Sequence, residues 1–593
     1  MTPRLVPIAG DRDRSTAPSD AGRRHPAAWL TRAWARGPAV AGLQAQGPLA
    51  HALGPTRRAV LGAALVLSAA LLPMPSLAAA DPALRQQALD TMRKATRFMT
   101  EKVAYQGGYV WSYLPDMSRR WGEIEATPTM VWIQPPGTAT VGHVFLDAYN
   151  ATGDESYYKA AEQVAGALIK GQHPAGGWNY VVDFAGEEAL KKWYATVGAN
   201  AWRLEEFQHY YGNATFDDAG TAESSQFLLR MYVAKKDPKY RPALDKTIRF
   251  VLDSQYPNGG WPQRFPFAEQ ASLHGKPDYT RYITFNDDVA AENIKFLIMV
   301  YQALGDRTVL DAVRRGMDIF TVTQQKAPQA GWALQYTPDL QPAGARSYEP
   351  KALVTHTTAA NIGQLMDFYQ LTGDPKYLAP IPAALDWLER VKLPADQVKN
   401  NRTHPTFIEI GTDRPLYVHR RGSNVVNGEY YVDYDLKNTI THYSSTRAVD
   451  LAGLRKRYEA LKATPPAEAA RNSPLKAEGI VGLPRYFSLR PIEVSDLNSD
   501  AASAAEKQSD AAKVKEVVGA LNAEGWWPSE LRAVSNPYVG PGNKTPEPGD
   551  FSQTRVGDRT DTSPYITDTP AIGISTGLFV QNMATLLGYV AKE

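Results

Sequence analysis

The sequence predicts an all-α fold, an α/α toroid of inner and outer helix pairs with irregular, partly β insertions. Two observations predict it: a helical unit that returns along the chain, and a second apolar helical stretch ahead of each copy. The unit reads TGDESYYKAAEQVAGALIKGQHPAGGW from Thr152 to Trp178 and KDPKYRPALDKTIRFVLDSQYPNGGW from Lys236 to Trp261. It returns from Gly305 to Trp332, and once more from Thr372 without the Trp ending. Each copy starts on Asp and spaces its apolar residues at helical intervals, and the first three add a Gln–Pro–Gly–Trp-like stop. From Asp154 to Trp178 and from Asp237 to Trp261 the spacing is 24 in both cases. Trp178, Trp261 and Trp332 read as core residues that lock the repeat rather than as ligand platforms.

The partner helices are expected at Thr138–Ala151, Ala219–Ala234, Val289–Leu304 and Thr357–Leu371, small and apolar as inner helices must be. Residues 501–526 read as a further outer helix and Ile574–Val590 as a further inner one. Between them, about Arg414 to Asp500 is less regular and reads as an insertion with strands and an Ala/Pro linker near Pro465. The expected organisation is a leader and signal at 1–80, a toroid core at 81–463 and a segment completing the toroid at 464–593.

Residues 1–80 carry nine Arg against three Asp, a net of +6, which leaves the rest of the 593-residue chain near −4 from a total of +2. No global basic field points to nucleic acid. Arg57 and Arg58 precede an apolar run from Ala59 to Leu72, then Pro73 and the small-residue end Ala78-Ala79-Ala80. That order is a twin-arginine-type export signal, too short to span a membrane comfortably, so export to the periplasm or beyond is expected. Cysteine is absent, which excludes disulfides, thiolate metal sites and a Cys nucleophile.

Two inner helices open on related acidic corners, Phe216-Asp217-Asp218-Ala219 and Phe285-Asn286-Asp287-Asp288. One Asp suffices to cap a helix; two at each start is surplus charge. On a toroid these N-termini share a rim, so the carboxylates should converge, and clustered hard oxygens suit calcium. Capping and metal binding are both open at this point.

The block GGWPQRFP (Gly259–Pro266) followed by ITFNDDVA (Ile283–Ala290) resembles the family-10 polysaccharide lyases, the α/α-toroid pectate lyases. FDDAGT (Phe216–Thr221), ARSYEP (Ala345–Pro350) and EIGTDRPLY (Glu409–Tyr417) extend the resemblance over about Asn200 to Leu454. It implies Ca²⁺ as cofactor, held at Asp217 and Asp287, which also bind substrate carboxylates; Asp218 stands where the family usually has Asn and reads as a further metal ligand or a compensating charge. It implies Arg346 as the catalytic base and Arg420 as a substrate-binding residue. The implied reaction is calcium-assisted β-elimination of polygalacturonate. The partner is then an acidic polysaccharide, with no nucleic acid, no membrane once the signal is removed, and a monomeric enzyme. The sequence departs from the family where Thr406 stands for an Arg and Tyr282 for a His, and Arg402 lies close enough in sequence to replace the former.

Glu349 and Glu409 are the other acids of the matched blocks. They read as partners of nearby arginines, or else as the acid and base of an inverting glycoside hydrolase. A secreted uronate-binding protein without activity is the third reading. A terpene cyclase with Gln–Trp repeats is the fourth, though Asn286-Asp287-Asp288 lacks the Asp-x-Asp-Asp motif.

Overall fold

The computed structural model describes residues 81–198, 205–269, 277–421, 429–437, 439–440, 443–476, 479–497, 509–531 and 571–591. The leader and signal expected over 1–80 lie outside the described residues, as do 501–508 of the expected outer helix.

The α/α toroid is present. Inner helices run over Thr138–Thr152, Gly220–Lys235, Val289–Leu304, Thr355–Thr372 and Thr576–Val590, within two residues of their expected bounds. Outer helices follow the first four at Glu155–Gly171, Arg241–Asp253, Leu310–Val322 and Ile381–Arg390. The C-terminal inner helix packs on Thr138–Thr152 and on the first helix, Pro82–Phe98, which also receives the outer helix Ala511–Ala520. Helices from the first and last described stretches therefore pack together.

The repeat has a mechanical explanation. Asp154, Asp237, Asp306 and Asp374 each cap an outer helix, accepting from the backbone N–H two residues on at 3.0, 3.0, 2.9 and 3.0 Å. At the other end, Gln255 Nε2 donates to Gly259 O at 3.0 Å and to Ala312 O on the next outer helix at 2.9 Å. Gln172 and Gln324 make the same double contact in their own units. Trp178, Trp261 and Trp332 are fully buried, and each indole N–H returns to a carbonyl of the helix before it. Gly259 sits at φ +97°, where a Cβ would come within 2.0 Å of Arg315 O, so only glycine fits this crossing.

After each Trp the chain forms a short strand that pairs with the strand entering an inner helix. Thr215 lies opposite Arg264, Thr284 opposite Gln335, and Val354 opposite Phe407. These pairs put three successive inner-helix entries on one rim. The insertion adds a hairpin there, Pro415–Arg421 with Glu429–Asp433.

Residues 479–497, part of the stretch expected only as irregular, fill the interior between the inner helices. Asp147 Oδ2 accepts from Phe487 N, Ser488 N and Ser488 Oγ, while its Oδ1 takes Arg230 at 2.5 Å. Lys295 donates to Ile492 O and Gln302 to Gly482 O, so the same segment is tied to three inner helices. The core divides into two main apolar clusters and a small one under the hairpin.

Candidate active site on the inner-helix rim

The two acidic corners do not cap their helices. Neither Gly220–Lys235 nor Val289–Leu304 has a side-chain cap, in contrast to every outer-helix Asp named above. Instead each corner turns through two consecutive left-handed residues, Asp218 and Ala219 at φ +50° and +55°, Asp287 and Asp288 at +51° and +56°. For non-glycine residues such backbone costs on the order of 1 kcal/mol or more each and persists only where the surroundings enforce it. Across the rim these turns bring Asp217 and Asp287 side by side.

Arg346 joins the corners. Its NH1 donates to Asp217 Oδ2 at 3.1 Å and lies 3.3 Å from Glu206 Oε1; its NH2 lies 3.8 Å from Asp287 Oδ2. Glu349 grips the guanidinium from behind, accepting from Nε at 3.0 Å and from NH2 at 2.8 Å. Tyr443 OH accepts from Arg346 NH2 at 3.0 Å and donates to Glu349 at 2.7 Å, and Asn286 Nδ2 donates to Asp287 at 2.6 Å. Tyr180 OH closes on Asp217 Oδ2 at 2.5 Å. Asp218 points away from Arg346, accepting from Gln134 at 2.7 Å, and Gln134 also serves Glu123. Asp217, Arg346 and Glu349 are 0, 3 and 2% exposed, whereas Asp218 and Asp287 are half-buried.

The charges in this cluster are unevenly settled. Burial pushes the Asp217 carboxyl up, but Arg346 together with hydrogen bonds from Asp287, Tyr180 and Gln263 outweighs it and holds that carboxyl below its usual range. Burial raises Asp218 and Asp287 well above theirs, with Asp217 adding repulsion at both. Burial opposes the Arg346 charge, yet Glu349, Tyr348, Tyr443 and Asp217 keep its pKa well above the ordinary value. Glu206, buried and only partly answered by Arg346, is pushed up to about 8. Because the folded value exceeds the ordinary 4.5, Glu206 holds its proton longer in the folded state. Its contribution to stability is complete below about pH 4.5 and is lost as pH rises through about 8. Without added metal, the thermal midpoint of Glu206→Gln is therefore expected to fall less than that of the parent between pH 5 and 9.

Among the described residues no three His, Asp or Glu side chains already stand as a metal cage; Arg346 holds the centre. The donor chemistry nevertheless fits a hard cation. Asp217 Oδ1 is buried without a well-formed hydrogen bond, beside Asp287 and Gln263, and the carboxylates of Asp218 and Asp287 lack an ion pair within 3.5 Å. Asp217, Asp218 and Asp287 are the residues that would hold it.

Arg420 lies on the hairpin strand Pro415–Arg421, opposite Tyr430, with its side chain outside the described part. Glu349 and Glu409 do not face each other as an acid–base pair. Glu349 is spent on Arg346, whereas Glu409 accepts from Thr412 and from Tyr434 at 2.8 Å. Glu206, Tyr180 and Tyr443 were not singled out by the sequence. No local motif marks them, and Tyr443 reaches the site only through a turn with φ +58° at both Tyr443 and Ser444.

Residues 183–449 match the model of the pectic acid lyase family. Asp217, Asp218, Asp287, Arg346 and Arg420 all fall inside that match. Ent-copalyl diphosphate synthase of Streptomyces sp. (strain KO-3988) is 26% identical over 183 residues, 30% of this chain. The chain spans about a quarter of the length of that curated relative, 25%. Among solved structures, a family 10 polysaccharide lyase from Cellvibrio cellulosa is 18% identical, covering 54% of this chain and 97% of its own, at a TM-score of 0.37. A variant of it in complex with trigalacturonic acid gives 18%, 55%, 98% and 0.36. A GH76 α-mannanase of Bacteroides thetaiotaomicron gives 13%, 54%, 74% and 0.33. Scores of this size carry no weight for function. Among the described residues, no helix is long and apolar enough to cross a membrane.

Proposed function

We propose that the protein is an exported polysaccharide lyase that cleaves polygalacturonate-type chains by calcium-assisted β-elimination. The observation that supports this most is Arg346 bridging the acidic corners of two successive inner helices, inside the pectic acid lyase match. A uronate carries its C5 proton beside a carboxylate and its leaving oxygen at C4. Loss of that proton places a second negative charge next to the first. The C5 electron pair then forms the 4,5 double bond as the C4–O bond breaks, and the departing oxygen picks up a proton. Ca²⁺ held by Asp217, Asp218 and Asp287 would supply Lewis-acid stabilisation of the developing charge.

The chain's own residues do the rest. Glu349 fixes the guanidinium plane of Arg346 through two hydrogen bonds, so its free edge has one orientation toward the rim. Arg346 would lose Asp217 as a partner if that carboxylate were to hold the cation instead. With one anion withdrawn its proton would be held less firmly and would first be given up to solvent, and in the proposed role the neutral guanidine then takes the C5 proton. Arg420 binds the substrate carboxylate from the hairpin. A second reading keeps Arg346 charged as a clamp on substrate, and its tight pairing with Glu349 favours that reading.

The test is to incubate mature protein with polygalacturonate, with and without calcium, and follow ultraviolet absorbance of the unsaturated product. A rise that needs calcium is the expected result. Reducing sugar without absorbance would sink the lyase in favour of hydrolysis. Binding with neither signal would leave a uronate-binding protein.

A further inference from the structure

The entries of the three successive inner helices differ in charge. The first two carry Asp217-Asp218 and Asp287-Asp288; the third, Thr355–Thr372, has no acid in its first turn and carries His356 there. Arg447 stands beside it, on the short strand Thr446–Arg447 that pairs with His404–Pro405. Both side chains are half-buried, and both hold a buried nitrogen, Arg447 Nε and His356 Nδ1, that has no hydrogen-bond partner among the described residues. Of the other rim arginines, Arg346 is engaged by Glu349, Arg402 by Ser444 Oγ and by Thr446 O at 3.2 Å, and Arg264 through NH1 by Asn179 and Asn213 at 3.2 Å each, with its NH2 unpartnered among the described residues. Arg447 has no carboxylate within ion-pair distance among the described residues, although Tyr443, Arg402 and Asp287 are near enough to act on its charge.

We infer that Arg447, with His356 beside it, forms an anion-holding corner that takes the carboxylate of a uronate unit next to the one bound at Asp217 and Asp287. The inference rests on the lyase reading for the identity of the ligand. Its geometry is independent of that reading: the turn Tyr443–Thr446 ties Arg447 to the Arg346 cluster, because Tyr443 contacts Arg346 at one end of the turn and Arg447 follows the other. Thr406, whose hydroxyl and N–H donate to Ser444 O and Ser445 O, braces the same turn. Burial pulls the Arg447 guanidinium down to about 10, with Tyr443 opposing and Arg402 adding to the fall. A buried cation so poorly compensated gains most from an incoming carboxylate. The acidic corners and the basic corner would then share the work: a cation bridges one uronate to the carboxylates, and Arg447 binds the next uronate directly.

The experiment measures calorimetric binding of trigalacturonate and of its methyl ester, with calcium present, to the parent, Arg447→Gln and Arg447→Lys. Arg447→Gln removes the charge while keeping a polar side chain, and its thermal midpoint is recorded alongside. Trigalacturonate is expected to bind Arg447→Gln about tenfold more weakly, the size of one charge-assisted hydrogen bond, with Arg447→Lys in between. The methyl ester should bind parent and variants alike. Equal trigalacturonate affinity in parent and Arg447→Gln, or an equal loss for the ester, overturns the inference. Product absorbance is read on the same samples. A parent that binds trigalacturonate through Arg447 but makes no unsaturated product refutes the lyase reading and leaves this corner standing.

Discussion

Arg346→Lys is expected to lower the rate of unsaturated-product formation by about 10²–10⁴-fold, the usual contribution of a positioned proton-transfer group. Lysine is the informative replacement because the site needs a cation for its fold. Glu349 is 2% exposed and Asp217 0%, and Glu206 lies 3.3 Å from the same guanidinium. Alanine would leave these carboxylates facing each other without a counter-charge, a defect of about 3–5 kcal/mol, and lost activity would then be confused with lost structure. Lysine keeps the charge and gives up the fork. Its ordinary pKa is about two units below that of arginine. If Arg346 is the base, the pH profile of the lysine variant should therefore rise at lower pH than the parent's, on a reduced maximum. If Arg346 is a clamp, the limb stays where it was and KM rises instead. Parent-like kcat with an unshifted limb removes Arg346 from proton transfer.

Much of this arrangement is legible in the sequence because it is written in short-range patterns. The Asp start, the Gln and the Gly-Trp stop lie within one unit, and each residue acts on backbone a few positions away or on the adjacent unit. The acidic corners are legible for a related reason: a doubled Asp exceeds what a cap requires, and the structure puts neither pair to capping use. What the sequence does not show is long-range. Glu206 and Tyr443 join Arg346 across 140 and 97 positions, with no spacing rule to connect them. The Arg447 corner depends on the pairing of two two-residue strands, too short to carry a periodic signal. The interior segment 479–497 has neither helical nor strand periodicity, since polar contacts to the ring hold it rather than one apolar face.

The tightest of those contacts sets the second large effect: Asp147→Ala is expected to destabilise the protein by about 3–5 kcal/mol, seen as a lower urea midpoint. Asp147 is fully buried and its two oxygens accept four hydrogen bonds, one from Arg230 and three from residues 487 and 488. Removing it strands the Arg230 guanidinium, itself 5% exposed, between His143 at 2.9 Å and the Phe487 ring at 4.1 Å. Neutral His143 offers Arg230 no counter-charge, because burial, reinforced by Arg230, holds its pKa well below the ordinary value. The double variant Asp147→Leu with Arg230→Met should recover much of the loss, since an apolar pair of similar volume removes the uncompensated charge along with its partner. Recovery by the double variant, measured against both single variants, separates charge burial from a general packing defect. Activity in the cold should survive in Asp147→Ala. Asp147 lies nine residues into Thr138–Thr152, roughly 14 Å along the axis from the rim at about 1.5 Å per residue. An Asp147→Ala protein that stays folded yet loses turnover as completely as Arg346→Lys would show that the interior segment sets the rim geometry as well as the stability of the ring.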